Sequence, residues 1–285
     1  MGARVKVGFV GVGSMGRPML EQVVRAGHEV SFYARRPDVA HEVAACGAAS
    51  APSLAELGAG LDVAVVCVFT DAQVREVCGG AEGLLATLPP GGTVVIHTTC
   101  RPETPPALAQ AGHSRGITVL DAGFSGGPAD AAASQITLLV GGESDVLERV
   151  RPVLATYAAP ILHVGGLGDG QRVKLVNNVL FGAQVALVAE AERIARDLGI
   201  DPARALEAIS HCSADSYVLG AVRAAGSSDR FQVVAGRYIT KDVATATELA
   251  SAAGTHLGLL ATVTESLRAP AGSPAPPETT ATAVG

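Results

Sequence analysis

The run Val5-Lys6-Val7-Gly8-Phe9-Val10 ends in Gly11-Val12-Gly13-Ser14-Met15-Gly16, and an apolar helical repeat through Leu20, Val23 and Val24 follows. The β-branched and aromatic run reads as a strand buried in a sheet, and the G-x-G-x-x-G spacing reads as the strand-to-helix turn of a βαβ unit. In such a turn Gly11 permits the tight bend, Gly13 lets a pyrophosphate approach the backbone, and Gly16 lets the helix pack close to the strand. Val12, Ser14 and Met15 complete the loop, and the helix N-terminus faces an anion with unpaired N–H groups. A glycine-rich turn can be purely structural; the strand before this one and the helix after it supply the context that dinucleotide binding requires.

A second strand is expected over Glu29–Tyr33. At the end of this strand an NAD-binding fold usually places Asp or Glu on the ribose 2′-hydroxyl. Here the chain reads Tyr33-Ala34-Arg35-Arg36-Pro37-Asp38, with two guanidiniums in place of the acid. Arginine grips a phosphate by paired, charge-assisted hydrogen bonds, so Ala34, Arg35 and Arg36 favour a 2′-phosphate, hence NADP(H), with NAD(H) possible. The bland alternative is a pair of arginines solvating a loop.

Further strands are expected at Asp62–Phe69, Thr93–His97, Val119–Ala122 and Ile136–Val140. The unbroken apolar run from Val63 is typical of a strand covered on both faces of a parallel sheet. Its end, Val68-Phe69-Thr70-Asp71, and the end of the next strand, Thr98-Thr99-Cys100-Arg101, should lie at the carboxyl edge, where open α/β sheets bind ligands. Strands alternating with helices predict an α/β, Rossmann-type doubly wound sheet over residues 1–165. After Gly165-Gly166-Leu167-Gly168-Asp169-Gly170 the pattern turns helical. A long helix is expected from Gln171 to Leu198, and shorter ones at Pro202–Ser210, Ser213–Ala225, Thr240–Ala253 and Thr255–Leu267. An all-α domain over residues 166–268 follows. The long helix is apolar nearly all round in its first half, as a helix buried between domains or subunits would be, which points to a homodimer or homotetramer. Residues 269–285, rich in Pro, Ala and Thr, are expected to be disordered.

At 285 residues the chain is long enough for one large or two moderate domains. Aromatics are only 4% and Trp is absent, so the core must be built of Ala, Val and Leu. A net charge of −6 argues against nucleic acid or an anionic membrane as the main partner. The most apolar stretch, Leu175 to Ala189, is too short to span a bilayer and carries Asn177, Asn178 and Gln184. Five scattered cysteines without C-x-x-C suggest a reduced, cytoplasmic protein with neither a disulfide framework nor a zinc site.

A nicotinamide reaction needs a group that moves the proton while the cofactor moves the hydride. The long helix offers Lys174 with Asn178 one turn on, a spacing that puts both on one helix face, and Asn177 beside them. Burial and an oxidised nicotinamide would both lower the lysine pKa toward that of a usable base. Against this, lysine also snorkels to a domain surface, and asparagines also cap neighbouring backbone.

Four segments, in order along the chain, resemble the β-hydroxyacid dehydrogenase family, which includes 3-hydroxyisobutyrate dehydrogenase and tartronate semialdehyde reductase. Gly8 to Met19 is similar to its cofactor fingerprint. Asp121-Ala122-Gly123-Phe124-Ser125-Gly126-Gly127 resembles its substrate segment D-A-P-V-S-G-G. Gly168 to Asn178 resembles G-x-G-x-x-x-K-x-x-N-N, and Lys241-Asp242 matches a K-D dipeptide of its helical domain. The resemblance implies Lys174 as general acid/base, with Asn178 and Asn177 orienting it and the substrate. Ser125, Gly126 and Gly127 would bind a small-molecule carboxylate, although such a tripeptide can also be a plain turn. Val68, Phe69 and Thr99 would contact nicotinamide and ribose, and Lys241 would close over the cofactor. The chain departs from the pattern at Gly123-Phe124, where Pro-Val is usual. It departs again at Ile96, where an acid is common, at Cys100-Arg101, and at Ser134-Gln135. The substrate could therefore be bulkier or differently charged than a short hydroxyacid. Alternatives are an imine reductase on the same scaffold, which usually lacks the lysine, and a non-catalytic nucleotide-binding protein.

Overall fold

A computed structural model describes residues 4–267. The tail expected to be disordered, residues 269–285, lies outside the described residues. The chain falls into two compact units, Met1–Leu175 and Val176–Gly285.

The first unit is an eight-stranded sheet flanked by helices. In chain order it runs β1 (Lys6–Val10), α1 (Gly16–Arg25), β2 (Glu29–Tyr33), α2 (Pro37–Ala44), β3 (Ala49–Ser50), α3 (Leu54–Gly58), β4 (Val63–Val66), α4 (Asp71–Cys78), α5 (Leu84–Thr87) and β5 (Thr93–Ile96). It continues through α6 (Thr104–Gly112), β6 (Thr118–Ser125), α7 (Pro128–Ala132), β7 (Ile136–Gly141), α8 (Ser144–Leu154) and β8 (Ala158–Gly165). The strand order is β3-β2-β1-β4-β5-β6-β7-β8, parallel from β3 to β6. The order reverses between β1 and β4, which is the switch point where a doubly wound sheet opens its ligand crevice. β4 and β5 are buried at every position, as strands covered by helices on both faces must be. Phe9, Phe32, Met19 and Leu20 are fully buried on one face of the sheet, each stabilising by roughly 1.5–3 kcal/mol. On the other face Leu57, Leu84 and Leu88 do the same.

The strands β3 and β8 were not in the sequence reading, and neither were three further features. β6 does not end at Ala122 but carries Gly123, Phe124 and Ser125 within the strand, because they pair with Leu139, Leu138 and Thr137 of β7. That pairing is antiparallel, so β7, with β8 parallel to it, runs against the rest of the sheet. The separation into units comes within the long helix and not at the preceding glycines, since the first turns of that helix are tied to the sheet by hydrogen bonds described below.

The second unit is helical, as expected. The helix α9 (Asp169–Asp197) runs into it, followed by α10 (Pro202–Ile209), α11 (Tyr217–Ala225), α12 (Ser228–Ala252) and α13 (Leu259–Thr264). α12 starts twelve residues before the helix expected at Thr240, because Ser227 caps it through the N–H of Arg230. The buried Glu192 carboxylate holds the N–H of Ser228 at 3.2 Å and its hydroxyl as well. Val185, Leu206, Val218, Leu219, Val222 and Ile239 form the core. At 29 residues α9 has the length and composition of a bilayer span, yet it buries Val185, Val188 and Glu192 against protein.

Candidate active site

The cofactor turn has the geometry its spacing demands. Gly11 takes φ +94°, and a Cβ there would stand 2.2 Å from the carbonyl oxygen of Cys67; at Gly16 a Cβ would lie 1.9 Å from the oxygen of Gly11. Neither position admits a side chain. Gly13 is the opposite case: a Cβ would meet no atom within 4 Å, so the turn is open on the side a pyrophosphate would approach. The N-cap of α1, Met15, supplies no side-chain acceptor, and no acid stands in its first turn. A dinucleotide pyrophosphate fits this helix N-terminus.

Ala34, Arg35 and Arg36 follow directly on β2, next to β1 in the sheet, with both arginines exposed. Arg36 Nη2 lies 2.7 Å from Asp38 and holds that carboxyl below its usual range. Arg36 is thus partly committed within the chain. The loops after β4 and β5 are tied by Thr98, whose hydroxyl accepts the N–H of Val68 and donates to its carbonyl, both at 2.9 Å. Val68 and Thr99 are half-buried there and Phe69 is 43% exposed.

Lys174 is placed by residues the sequence reading did not assign. Asp121, fully buried on β6, accepts the N–H of Gly168 at 2.7 Å on one oxygen and that of Gln171 at 2.8 Å on the other. A carboxylate facing a helix N-terminus is favoured by the helix dipole. Burial nevertheless pushes its pKa up, against the lowering effect of those N–H bonds. The buried Gln171 side chain accepts the N–H of Cys100 at 2.9 Å and donates to the carbonyl of Thr98 at 3.1 Å. β5, β6 and the start of α9 are therefore joined by one polar network. Within it the helix lies so close to β6 that a Cβ on Gly123 would sit 3.1 Å from Lys174 Cβ. A side chain at position 123 would press on the lysine stem, which would have to shift by a few tenths of an ångström to admit it. The ammonium lies 5.8 Å from the centroid of the Phe124 ring.

His97 sits below Phe124, 1% exposed. Its Nδ1 is 2.6 Å from the carbonyl oxygen of Ala122 and its Nε2 is 2.9 Å from the Tyr157 hydroxyl. A carbonyl can only accept, so Nδ1 carries the proton and Nε2 accepts from Tyr157. Burial pushes the His97 pKa down from 6.5 to about 4. Between those values the unfolded chain holds a proton that the folded chain does not. The stability tied to neutral His97 is therefore whole above pH 6.5 and is lost as pH falls toward 4. Denaturant unfolding across that window is expected to lose about 3 kcal/mol through this residue. His97→Gln, less stable at pH 7, should show a visibly shallower acid slope; an unchanged slope would remove His97 from the acid response.

Ser125 ends β6 half-buried, and Gly126 follows at φ +124°. The N–H of Gly127, expected to meet a substrate carboxylate, donates instead to Asp130 at 2.7 Å. The cause is local: Asp130 is the third residue of the short α7 and reaches back to its N-cap.

In the second unit Asn178 is buried, accepts from Asn177 at 3.0 Å and donates to Asp242. Lys241 Nζ lies 3.3 Å from the other Asp242 oxygen. Two asparagines on an otherwise apolar helix are thus explained by a carboxylate 64 residues on, a partner that sequence spacing along α9 could not supply. The K-D dipeptide was the only sign of it.

Both units of the chain resemble known proteins. Residues 6–166 match the family described as the NAD binding domain of 6-phosphogluconate dehydrogenase. Residues 168–283 match the NAD-binding domain of NADP-dependent 3-hydroxyisobutyrate dehydrogenase. The chain is 33% identical to the 3-hydroxyisobutyrate dehydrogenase of Pseudomonas aeruginosa over 93% of its own length and 92% of that protein. It is also 33% identical to the 2-hydroxy-3-oxopropionate reductase of Escherichia coli, over 75% of this chain and 73% of the other. Its fold superposes on the Mycobacterium tuberculosis 3-hydroxyisobutyrate dehydrogenase solved with L-serine, with a TM-score of 0.83 and 27% identity over 93% of both chains. With the open cofactor turn, the anchored lysine and matches spanning both units, the chain belongs to the β-hydroxyacid dehydrogenase family of NAD(P)-dependent dehydrogenases and reductases.

Proposed function

We propose that the protein interconverts a β-hydroxyacid and its semialdehyde or keto acid with NADP(H), and that Lys174 manages the proton. The observation that carries this reading is the position of the Lys174 ammonium at the carboxyl end of β6, on a helix start anchored by Asp121 and Gln171. When bound, the nicotinamide supplies or accepts the hydride. Lys174 Nζ gives a proton to the carbonyl oxygen during reduction and takes the hydroxyl proton during oxidation, a contribution typical of general acid–base groups. The hydroxyl of Ser125 and the N–H of Gly126 bind the substrate carboxylate, with Gly127 shaping the turn while its N–H serves Asp130. Asn178, held by Asp242 and joined by Asn177, orients the substrate. Lys241 supplies a cofactor contact, as do Val68, Phe69 and Thr99. The pyrophosphate rests on the turn from Gly11 to Gly16. A cytoplasmic location and a homodimer or homotetramer belong to the same proposal.

NADP over NAD is assigned to Arg35 first, because Arg36 already pairs with Asp38. Arg35→Ala should raise the KM for NADPH on the order of tenfold, the loss of one charge-assisted phosphate contact, and leave that for NADH nearly unchanged. Steady-state kinetics with both cofactors decide this; equal losses would refute the 2′-phosphate assignment. The reaction itself is tested with NADPH and short semialdehydes or oxo acids, where turnover of carboxylate-bearing aldehydes is expected and a cofactor-binding protein that turns over nothing would overturn the proposal.

A further inference from the structure

Phe124 brings an aromatic face to a place where an ammonium must be held, and none of the roles above uses it. Its ring centroid lies 5.8 Å from Lys174 Nζ, inside the range over which an aromatic face attracts a cation. The ring is itself fixed. Phe124 pairs with Leu138 across the β6–β7 register and packs against the first core. The imidazole of His97 meets it nearly edge-on, with centroids 6.2 Å apart and planes at 74°. His97 cannot turn away, because Ala122 and Tyr157 hold both its nitrogens. Burial keeps that imidazole neutral near pH 7, so it offers the ring no competing positive charge. Two carboxylates on β6 and at the start of α9 make hydrogen bonds that fix the backbone carrying Lys174. Asp121 holds the N–H groups of Gly168 and Gln171, and Asp169 holds Gly166 and Arg172. The valine found here in the resembling segment would fill space but has no such face.

Resting on the assignment of Lys174 as the proton donor, we propose that Phe124 is its positioning residue: the ring face holds the ammonium at the carboxyl end of β6 and favours its charged form. Tyr157, His97 and Phe124 then act as a stack that fixes a cation near the surface of the sheet. A shape-filling role predicts that only size at position 124 matters. A charge-holding role predicts that the electron density of the ring matters at constant shape.

The test is progressive fluorination of Phe124, introduced as mono-, di- and pentafluorinated phenylalanine, beside Phe124→Tyr and Phe124→Leu. Fluorine withdraws the negative charge from the ring face and changes its outline little. Two readouts are needed. The first is kcat against the KM for NADPH with a semialdehyde substrate. The second needs no turnover: the protein is reductively methylated with 13C-formaldehyde, the Lys174 resonance is assigned by its loss in Lys174→Arg, and its titration is followed by NMR. The proposal expects kcat to fall stepwise with fluorination, by about two- to fivefold at the end of the series. The KM for NADPH and the melting temperature should stay level, and the Lys174 titration should move about half a pH unit lower. Tyr should match the parent, and Leu should fall to the level of the pentafluorinated ring or below. A flat response of the Lys174 titration across the fluorinated series overturns the proposal. A wild-type protein that turns over no substrate overturns the assigned reaction, and the titration still decides whether Phe124 holds the cation.

Discussion

Lys174→Ala is expected to lower kcat by on the order of 10²–10⁴-fold while NADPH still binds. The substitution removes the ammonium above Phe124 and leaves the residues that fit the cofactor untouched, since the turn from Gly11 to Gly16 and the arginines after β2 lie elsewhere in the first unit. It should also be folded normally. Alanine is the best helix former, and position 174 lies within α9, where the start of the helix is fixed by Asp121 and not by the lysine. Initial rates together with NADPH binding by fluorescence separate the two effects. Loss of both binding and rate would point to a cofactor role for Lys174, and a rate near that of the parent would remove it from the chemistry.

Asp121→Ala is expected to be the most damaging single change to the framework of the site. Two N–H groups, those of Gly168 and Gln171, lose a buried, charged acceptor at a residue with no exposed area of its own. At about 1.5–3 kcal/mol for each hydrogen bond to a charged group, the loss is roughly 3–6 kcal/mol. For a chain of this size that lowers Tm by roughly 10 °C. Asp121→Asn is the informative companion. An amide offers one acceptor oxygen and one NH₂ group, so it can satisfy one of the two N–H groups and must turn a donor toward the other. It should fall between the parent and the alanine variant in stability. Its kcat should fall further than its stability alone would suggest, because the start of α9 sets where Lys174 stands. Thermal melts and denaturant titrations of the three proteins measure this series; a fully stable Asp121→Ala would mean that α9 is held by something other than this carboxylate.

Much of the scaffold was legible in the sequence because its signals are local. A buried strand, a G-x-G-x-x-G turn and an amphipathic helix are each written within a few residues, and Gly11 and Gly16 stand where that spacing demands. Lys174 and Asn178 were visible as polar residues on an apolar helix. What escaped was everything that depends on a partner far along the chain. Asp121 reads as a strand residue until the turn at Gly168 folds back onto it, 47 residues later. Asn178 reads as an unexplained cost until Asp242 reaches it. The antiparallel β7 escaped because an apolar run says nothing about direction, and it is this pairing that keeps Gly123, Phe124 and Ser125 in the strand. The bond from the Gly127 N–H to the capping carboxylate of Asp130, only three residues on, was not read from the sequence either.

The central claim, a nicotinamide-linked reaction on a small hydroxyacid or its oxidised form, is tested most directly by initial rates over one panel. It holds short carboxylate-bearing semialdehydes, oxo acids and cyclic imines, each assayed with NADPH and with NADH. The expected result is reduction of the carboxylate-bearing semialdehydes, faster with NADPH, and lost in Lys174→Ala. Reduction confined to the cyclic imines, or semialdehyde reduction that persists without Lys174, would contradict it.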